Sequence, residues 1–262
     1  MATQAKVTVS ATAIPMKLGW TKFLRDVASI FEIKLIAMSR AWYFFLMGTL
    51  IFPVSMFYFA QALAPDTPEA IRRALAGTMI FGAAMLTTNM LAQSMIQDRF
   101  QGRLKLIITM PVSKGAYAIG SLVFSASLSA ATMLVILGFA VAVGVQFTLS
   151  WAFLPLLLGV MLTMSGLTIL IVSYAPTAEV GNIMTNLTGI LLAFVSPVFF
   201  TMEQAPAVMR ALGWVSPLRY AADGLMKSLS GQPDVGLELT VLTGFAVLAM
   251  ALGLWRLRWR ER

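Results

Sequence analysis

The chain has 262 residues, 59% of them apolar and 11% charged, with a net charge of +8. Globular domains carry about 45–50% apolar and about 25% charged residues, and disordered chains are poorer still in apolar residues, so both classes are excluded. Cysteine and histidine are absent, which excludes disulfides, Cys- or His-ligated metal, thiol nucleophiles and the commonest general base. The excess of cations on so apolar a chain speaks to membrane orientation rather than to nucleic acid. This is the composition of an all-α integral membrane protein.

Residues 1–16 lack an apolar run behind a basic start, so they are expected to be a flexible N-terminus and no cleavable signal. Residues 17–40 predict an amphipathic interfacial helix. Trp20, Leu24, Val27, Phe31, Leu35 and Met38 recur at steps of three and four, with Lys22, Arg25, Asp26, Ser29 and Glu32 on the other side. The apolar side is expected in lipid. A helix needs about 20 mostly apolar residues to span a hydrocarbon core of about 30 Å, and charged residues punctuate the rest of the chain at such intervals. Spans are predicted at about 41–64, 74–97, 116–143, 151–174, 180–202 and 239–255. The third and fourth are separated at Gly144 to Ser150, because the charge-free run Gly115 to Ala178 would reach about 96 Å as one helix. A transmembrane domain thus fills 41–255, and 256–262 is a basic tail. With both termini in the cytoplasm, 14 lysines and arginines lie inside and five outside. That bias selects this orientation.

The six spans carry no charge, and no phosphate loop, G-x-S-x-G or H-E-x-x-H motif is present. Ion-coupled carriers, voltage sensors and self-contained enzymes are therefore poor fits. Polar uncharged residues do align. Asn89, Gln93 and Gln97 are spaced i, i+4, i+8 on the second span, and Asn182 and Asn186 i, i+4 on the fifth. They either face one polar cavity or bond helix to helix. Ser121, Ser125 and Ser129 form a small-residue stripe suited to close helix packing. The 18 methionines suit ordinary packing or a promiscuous apolar pathway.

Two segments are neither spans nor ordinary loops. Arg99 to Ile108 is a basic, helix-like piece that stops at Met110-Pro111, and is expected to lie along the cytoplasmic face. Ser196 to Met226 combines prolines 197, 206 and 217 with charges and a periodic apolar core. It is expected to form short helices dipping into the outer leaflet, an outer re-entrant helical hairpin.

At these segments the sequence resembles the permease subunits of type-2 ATP-binding-cassette (ABC) exporters, which include daunorubicin-resistance and nodulation lipo-oligosaccharide export permeases. The family's coupling segment reads E-R-E-x-G-T-L-E-x-L and then T-P-V-S. Here stand Asp98, Arg99, Phe100, Gln101, Gly102, Arg103, Leu104 and Lys105, then Thr109-Met110-Pro111-Val112-Ser113. The family's S-G-x-x-F-P and N-P-L segments are matched by Ser196-Pro197-Val198-Phe199-Phe200 and Ser216-Pro217-Leu218. The resemblance runs from Leu18 to Trp255 in order and spacing. Family acids are missing from this segment, where Gln101 and Lys105 stand among its residues, and Ser196-Pro197 stiffens the later turn.

The resemblance implies a six-span permease domain without a catalytic site, moving an apolar or amphipathic substrate (a drug, a lipid-linked molecule or a saccharide) by alternating access. It implies separate ABC ATPase subunits, which bind ATP and Mg while this chain binds no cofactor. A second permease copy, identical or a close paralogue, and membrane lipids complete the partners. The expected place is a bacterial-type inner membrane. Coupling to the ATPase falls to the segment Asp98 to Lys105. The substrate pathway falls to Asn89, Gln93, Asn182 and Asn186. An outer gate falls to Ser196, Pro197, Phe199, Phe200, Pro206 and Pro217. A non-transporting scaffold or regulator of the same fold and a membrane-embedded lipid enzyme are the competing readings.

Overall fold

The computed structural model describes residues 19–39, 42–43, 47, 51–63, 67–196, 198–199, 206–232 and 234–256. The expected N-terminus 1–16, most of the first predicted span before residue 51, Pro197, Phe200 and the tail beyond Arg256 lie outside the described residues. In chain order the helices are α1 (Trp20–Ser39), α2 (Phe52–Leu63), α3 (Pro68–Phe100), α4 (Arg103–Thr109) and α5 (Lys114–Ala142). They continue as α6 (Phe153–Tyr174), α7 (Ala178–Val195), α8 (Ala207–Gly213), α9 (Pro217–Leu229) and α10 (Gly236–Arg256). The architecture is all-helical. Among the described residues α3, α5, α6 and α10 are the four helices long and apolar enough to cross a membrane.

Local sequence sets where these helices begin. Thr67, Ser113 and Thr177 stand before α3, α5 and α7, and each side-chain oxygen accepts from the backbone N–H three residues on. That satisfies one of the orphan donors at a helix start. Pro68 and Pro217 take the first turn of α3 and α9, where a missing N–H costs nothing. Between α5 and α6 the chain turns through Gly144 at φ +81. Thr148 and Ser150 then donate their N–H groups to the carbonyls of Leu229 and Ser228, at 3.0 and 3.2 Å.

Helix α3 is the axis of the bundle. Every residue from Arg73 to Ala84 is buried, so this stretch is covered on all sides by α2, α5, α6 and α9. Its 33 residues reach about 50 Å at about 1.5 Å each, well beyond a hydrocarbon core of about 30 Å. The charge-free stretch 74–97 is therefore the apolar middle of a longer helix whose two ends carry charge. Helices α6 and α10 meet backbone to backbone: a Cβ on Gly253 would lie 2.7 Å from the Gly166 carbonyl oxygen. Such small-residue contacts are how membrane helices gain packing energy without a hydrophobic driving force. Ser129 on the serine stripe bonds Thr87 across the α3–α5 contact at 2.7 Å.

Two local features differ from the sequence reading. The basic piece after the second span is broken: α3 runs through Asp98, Arg99 and Phe100, Gly102 turns at φ +79, and only then does α4 begin. Helix α1 does not simply float on its apolar stripe. It packs on α5 along Phe23, Val27, Ile30 and Lys34, with Gly120 admitting Ile30 and the Val27 carbonyl to within 2.9 Å of a would-be Cβ. Trp20, Leu24 and Leu35 from the predicted stripe remain exposed.

Candidate functional site

The end of the bundle bearing α4 is organised around a buried charge. Lys34 of α1 reaches Asp98 at the end of α3 at 2.6 Å, with the two side chains 7% and 9% exposed. Tyr117 of α5 donates its hydroxyl to the same carboxylate at 2.8 Å, and Lys34 also bonds Ser94. The ammonium lies 5.2 Å from the centre of the Tyr117 ring. Burial holds the Lys34 pKa below the usual lysine value, against the opposing pull of the Asp98 carboxylate; the nearby Arg103 pushes it down further. Three helices are thus tied at one carboxylate. Next to it, Arg99 donates to the carbonyls of Val172 and Ala175 at 2.8 and 3.1 Å, closing the C-terminus of α6 with a cation where its orphan carbonyls point.

Between α1, α3, α4 and the flank of α5 lies an open cleft of about 600 Å³. Ile33, Ile36 and Met38 of α1, Met90 of α3 and Phe124 of α5 make its apolar wall. Lys34, Gln93, Ser94, Gln97, Asp98 and Arg103 make its polar part. Leu106, Ile107 and Met110 close it from the α4 side.

The polar stripes of the second and fifth predicted spans meet. Gln93 of α3 donates to the side-chain oxygen of Asn182 of α7 at 3.0 Å, on an exposed face. Asn186 donates to the Asn182 carbonyl at 2.9 Å, is itself exposed, and continues the stripe along α7. Asn89 is half-buried one turn further along α3, and Gln97 is exposed. Around them α7 turns Ile183, Met184, Leu187 and Ile190 outward, so a polar strip runs through an otherwise apolar exposed surface.

At the opposite end, α9 inserts Leu218, Ala221, Ala222 and Leu225 into the core and carries charges on its other side. Asp223 takes Arg73 at 2.6 Å and Arg219 at 3.4 Å, and Lys227 meets the buried Glu238 at 2.8 Å. Arg219 lies over the Trp214 ring at 4.2 Å. Ser196 is buried and bonds Ser216, joining the end of α7 to the start of α9. Phe199 lies 6.0 Å from the ring of Phe81 and against Gly77. Pro206 is exposed before α8, and Pro217 is buried at the start of α9.

Of the coupling residues, Asp98 and Arg99 point inward to their bonds, Phe100 and Gln101 are exposed, Gly102 makes the turn, and Arg103 and Leu104 begin α4 with Lys105 following. Sequence reasoning missed Lys34 and Tyr117 altogether. The signal for Lys34 was a cation four residues from both Ile30 and Met38, inside the apolar side of α1. The sequence places Arg73 outside the spans and assigns Asp223 and Glu238 no role, although each is held in an ion pair between helices.

Long apolar helices with their charges confined to the ends define a multi-pass membrane protein. The family model for the ABC-2 type transporter matches residues 26–230. That is more than half of the chain, and the chain belongs to this family, the membrane component of ABC transporters, which is not itself catalytic. No curated relative matches the chain.

Proposed function

We propose that this chain is the permease subunit of an ATP-driven exporter in a bacterial-type inner membrane, acting as a dimer with separate ABC ATPase subunits. The observation that carries the reading is the exposed Gln93–Asn182 pair, continued by Asn186, beside the outward-facing Ile183, Met184, Leu187 and Ile190 of α7. The amide atoms left over by these bonds are costly to face toward lipid, so this strip faces a second copy or a path for cargo. Asn89, Gln93, Asn182 and Asn186 line that path for an apolar or amphipathic molecule. The chain crosses six times, with residues 41–64 and 180–202 added to the four long helices, and both termini lie in the cytoplasm. The segment from Ser196 to Met226 closes the outer exit.

The coupling segment supports the ATP-driven half of the reading. Phe100 and Gln101 are exposed, while Asp98 and Arg99 just behind them are bonded to α1, α5 and α6. A push on the exposed turn therefore reaches three helices. Expression with the candidate ATPase and reconstitution into vesicles tests this. The expected outcome is co-purification, ATP hydrolysis stimulated by cargo, and a several-fold fall in transport for Gln93→Leu and Asn186→Leu with assembly intact. Failure of any ABC ATPase to associate removes the exporter reading. Wild-type transport by both variants returns the strip to helix packing.

A further inference from the structure

We propose that the cleft between α1, α3, α4 and α5 is a binding site for an anionic phospholipid of the leaflet on the α4 side, meeting the polar strip of α3 at Gln93. Its charge is unbalanced. Lys34 is matched by Asp98, but Arg103 is exposed on the rim and makes no ion pair or hydrogen bond among the described residues, leaving one net positive charge. A phosphate at Arg103 answers that charge, with Ser94 and Gln97 in the polar part of the same cleft.

Depth separates a lipid from a soluble partner. Met90 lies two turns before Asp98 on α3, about 12 Å along the axis at about 1.5 Å per residue. Phe124 is ten residues inside α5, about 15 Å by the same rise. The cleft thus has a cationic mouth at the level of α4 and an apolar wall reaching into the membrane. An acyl chain can follow that wall, whereas the surface of a soluble subunit reaches only the mouth. The volume of about 600 Å³ accommodates a headgroup and the upper part of a chain, within the usual range of ligand pockets. Helix α1 supplies much of the apolar wall and has Trp20, Leu24 and Ile36 exposed, as an interfacial helix lying among lipids does.

The proposal needs only the membrane-embedded fold, so it survives failure of the exporter reading. The purified chain in detergent is titrated with phosphatidylglycerol or phosphatidylcholine of identical acyl chains and bound lipid is counted by native mass spectrometry. Wild type is expected to retain one phosphatidylglycerol at concentrations where phosphatidylcholine is lost. Arg103→Glu, at an exposed position, weakens that binding tenfold or more. Ile36→Trp, which narrows the apolar wall without touching a charge, weakens it several-fold. Equal retention of the two lipids, or unchanged phosphatidylglycerol binding in Arg103→Glu, overturns the site. Displacement by millimolar inorganic phosphate would make it a free-anion site and also overturns it. So does an Arg103→Glu chain that keeps the lipid but loses the ATPase, which would assign the cleft to that subunit.

Discussion

At the scale of single residues, the ion pair that ties α1 to α3 is Lys34 with Asp98. Removing one member of a buried ion pair leaves the other without compensation and costs about 3–5 kcal/mol, whereas replacing both is often nearly neutral. Lys34→Met is therefore expected to lower the apparent unfolding temperature in detergent by several degrees. The double variant Lys34→Met/Asp98→Asn should recover most of the loss, because Tyr117 can still donate to an amide oxygen. A single variant as stable as wild type would mean that the pair is not the tie between α1 and α3. The helical position of Lys34 was legible in the sequence, among Ile30, Phe31 and Met38, but its partner lies 64 residues away. Nothing in one sequence points from a cation to a carboxylate at that distance. The same holds for Arg73 and Asp223, which are 150 residues apart. Gln93 and Asn182 could be placed at one depth from their spans, because their partner faces were both set by helical spacing.

At the scale of elements, the break between α3 and α4 decides where the exposed turn points. Gly102 sits at φ +79, and an added Cβ there would meet nothing within 4 Å, so any penalty for a side chain is one of backbone conformation alone. The left-handed conformation costs an ordinary residue about 1–2 kcal/mol and asparagine less. Gly102→Ala is expected to leave the melting of the bundle almost unchanged, since Ile107 is the one α4 residue in the buried core among those described. Cargo-stimulated ATP hydrolysis in the assembled complex should fall several-fold, with Gly102→Asn intermediate. Full activity in the alanine variant would show that the turn's geometry is not what transmits motion. This break was hidden because a lone glycine is tolerated inside a helical pattern. The start of α3 was hidden for a different reason. Arg72 and Arg73 read as punctuation between spans, yet Asp223 from a distant helix lets Arg73 remain inside the bundle. The helical character of α5, α6 and α10 was plain, because long apolar runs between charges admit few alternatives in a bilayer.

At the scale of the whole molecule, the two ends differ in how their cations are held. At the α9 end Arg73, Arg219 and Lys227 are drawn to Asp223 and Glu238. At the α4 end Arg103, Lys105 and Lys114 follow the long α3 helix closely, and Arg103 has no acidic partner among the described residues. Lysine and arginine flanking a span hold it to the cytoplasmic side, so the α4 end is expected to face the cytoplasm and α8 the exterior. The absence of native cysteine makes this directly measurable. Trp214, after α8, and Gln101, between α3 and α4, are both exposed. Each is replaced by cysteine in turn and intact cells are treated with a membrane-impermeant thiol reagent. Trp214→Cys should label at once and Gln101→Cys only after the membrane is opened. The reverse pattern would invert the topology and move the polar strip on α3 and α7 toward the outer face. Labelling of both in intact cells would place the Gln101 turn outside, where no ATPase could reach it, and the coupling role of the segment from Asp98 to Lys105 would fall with it.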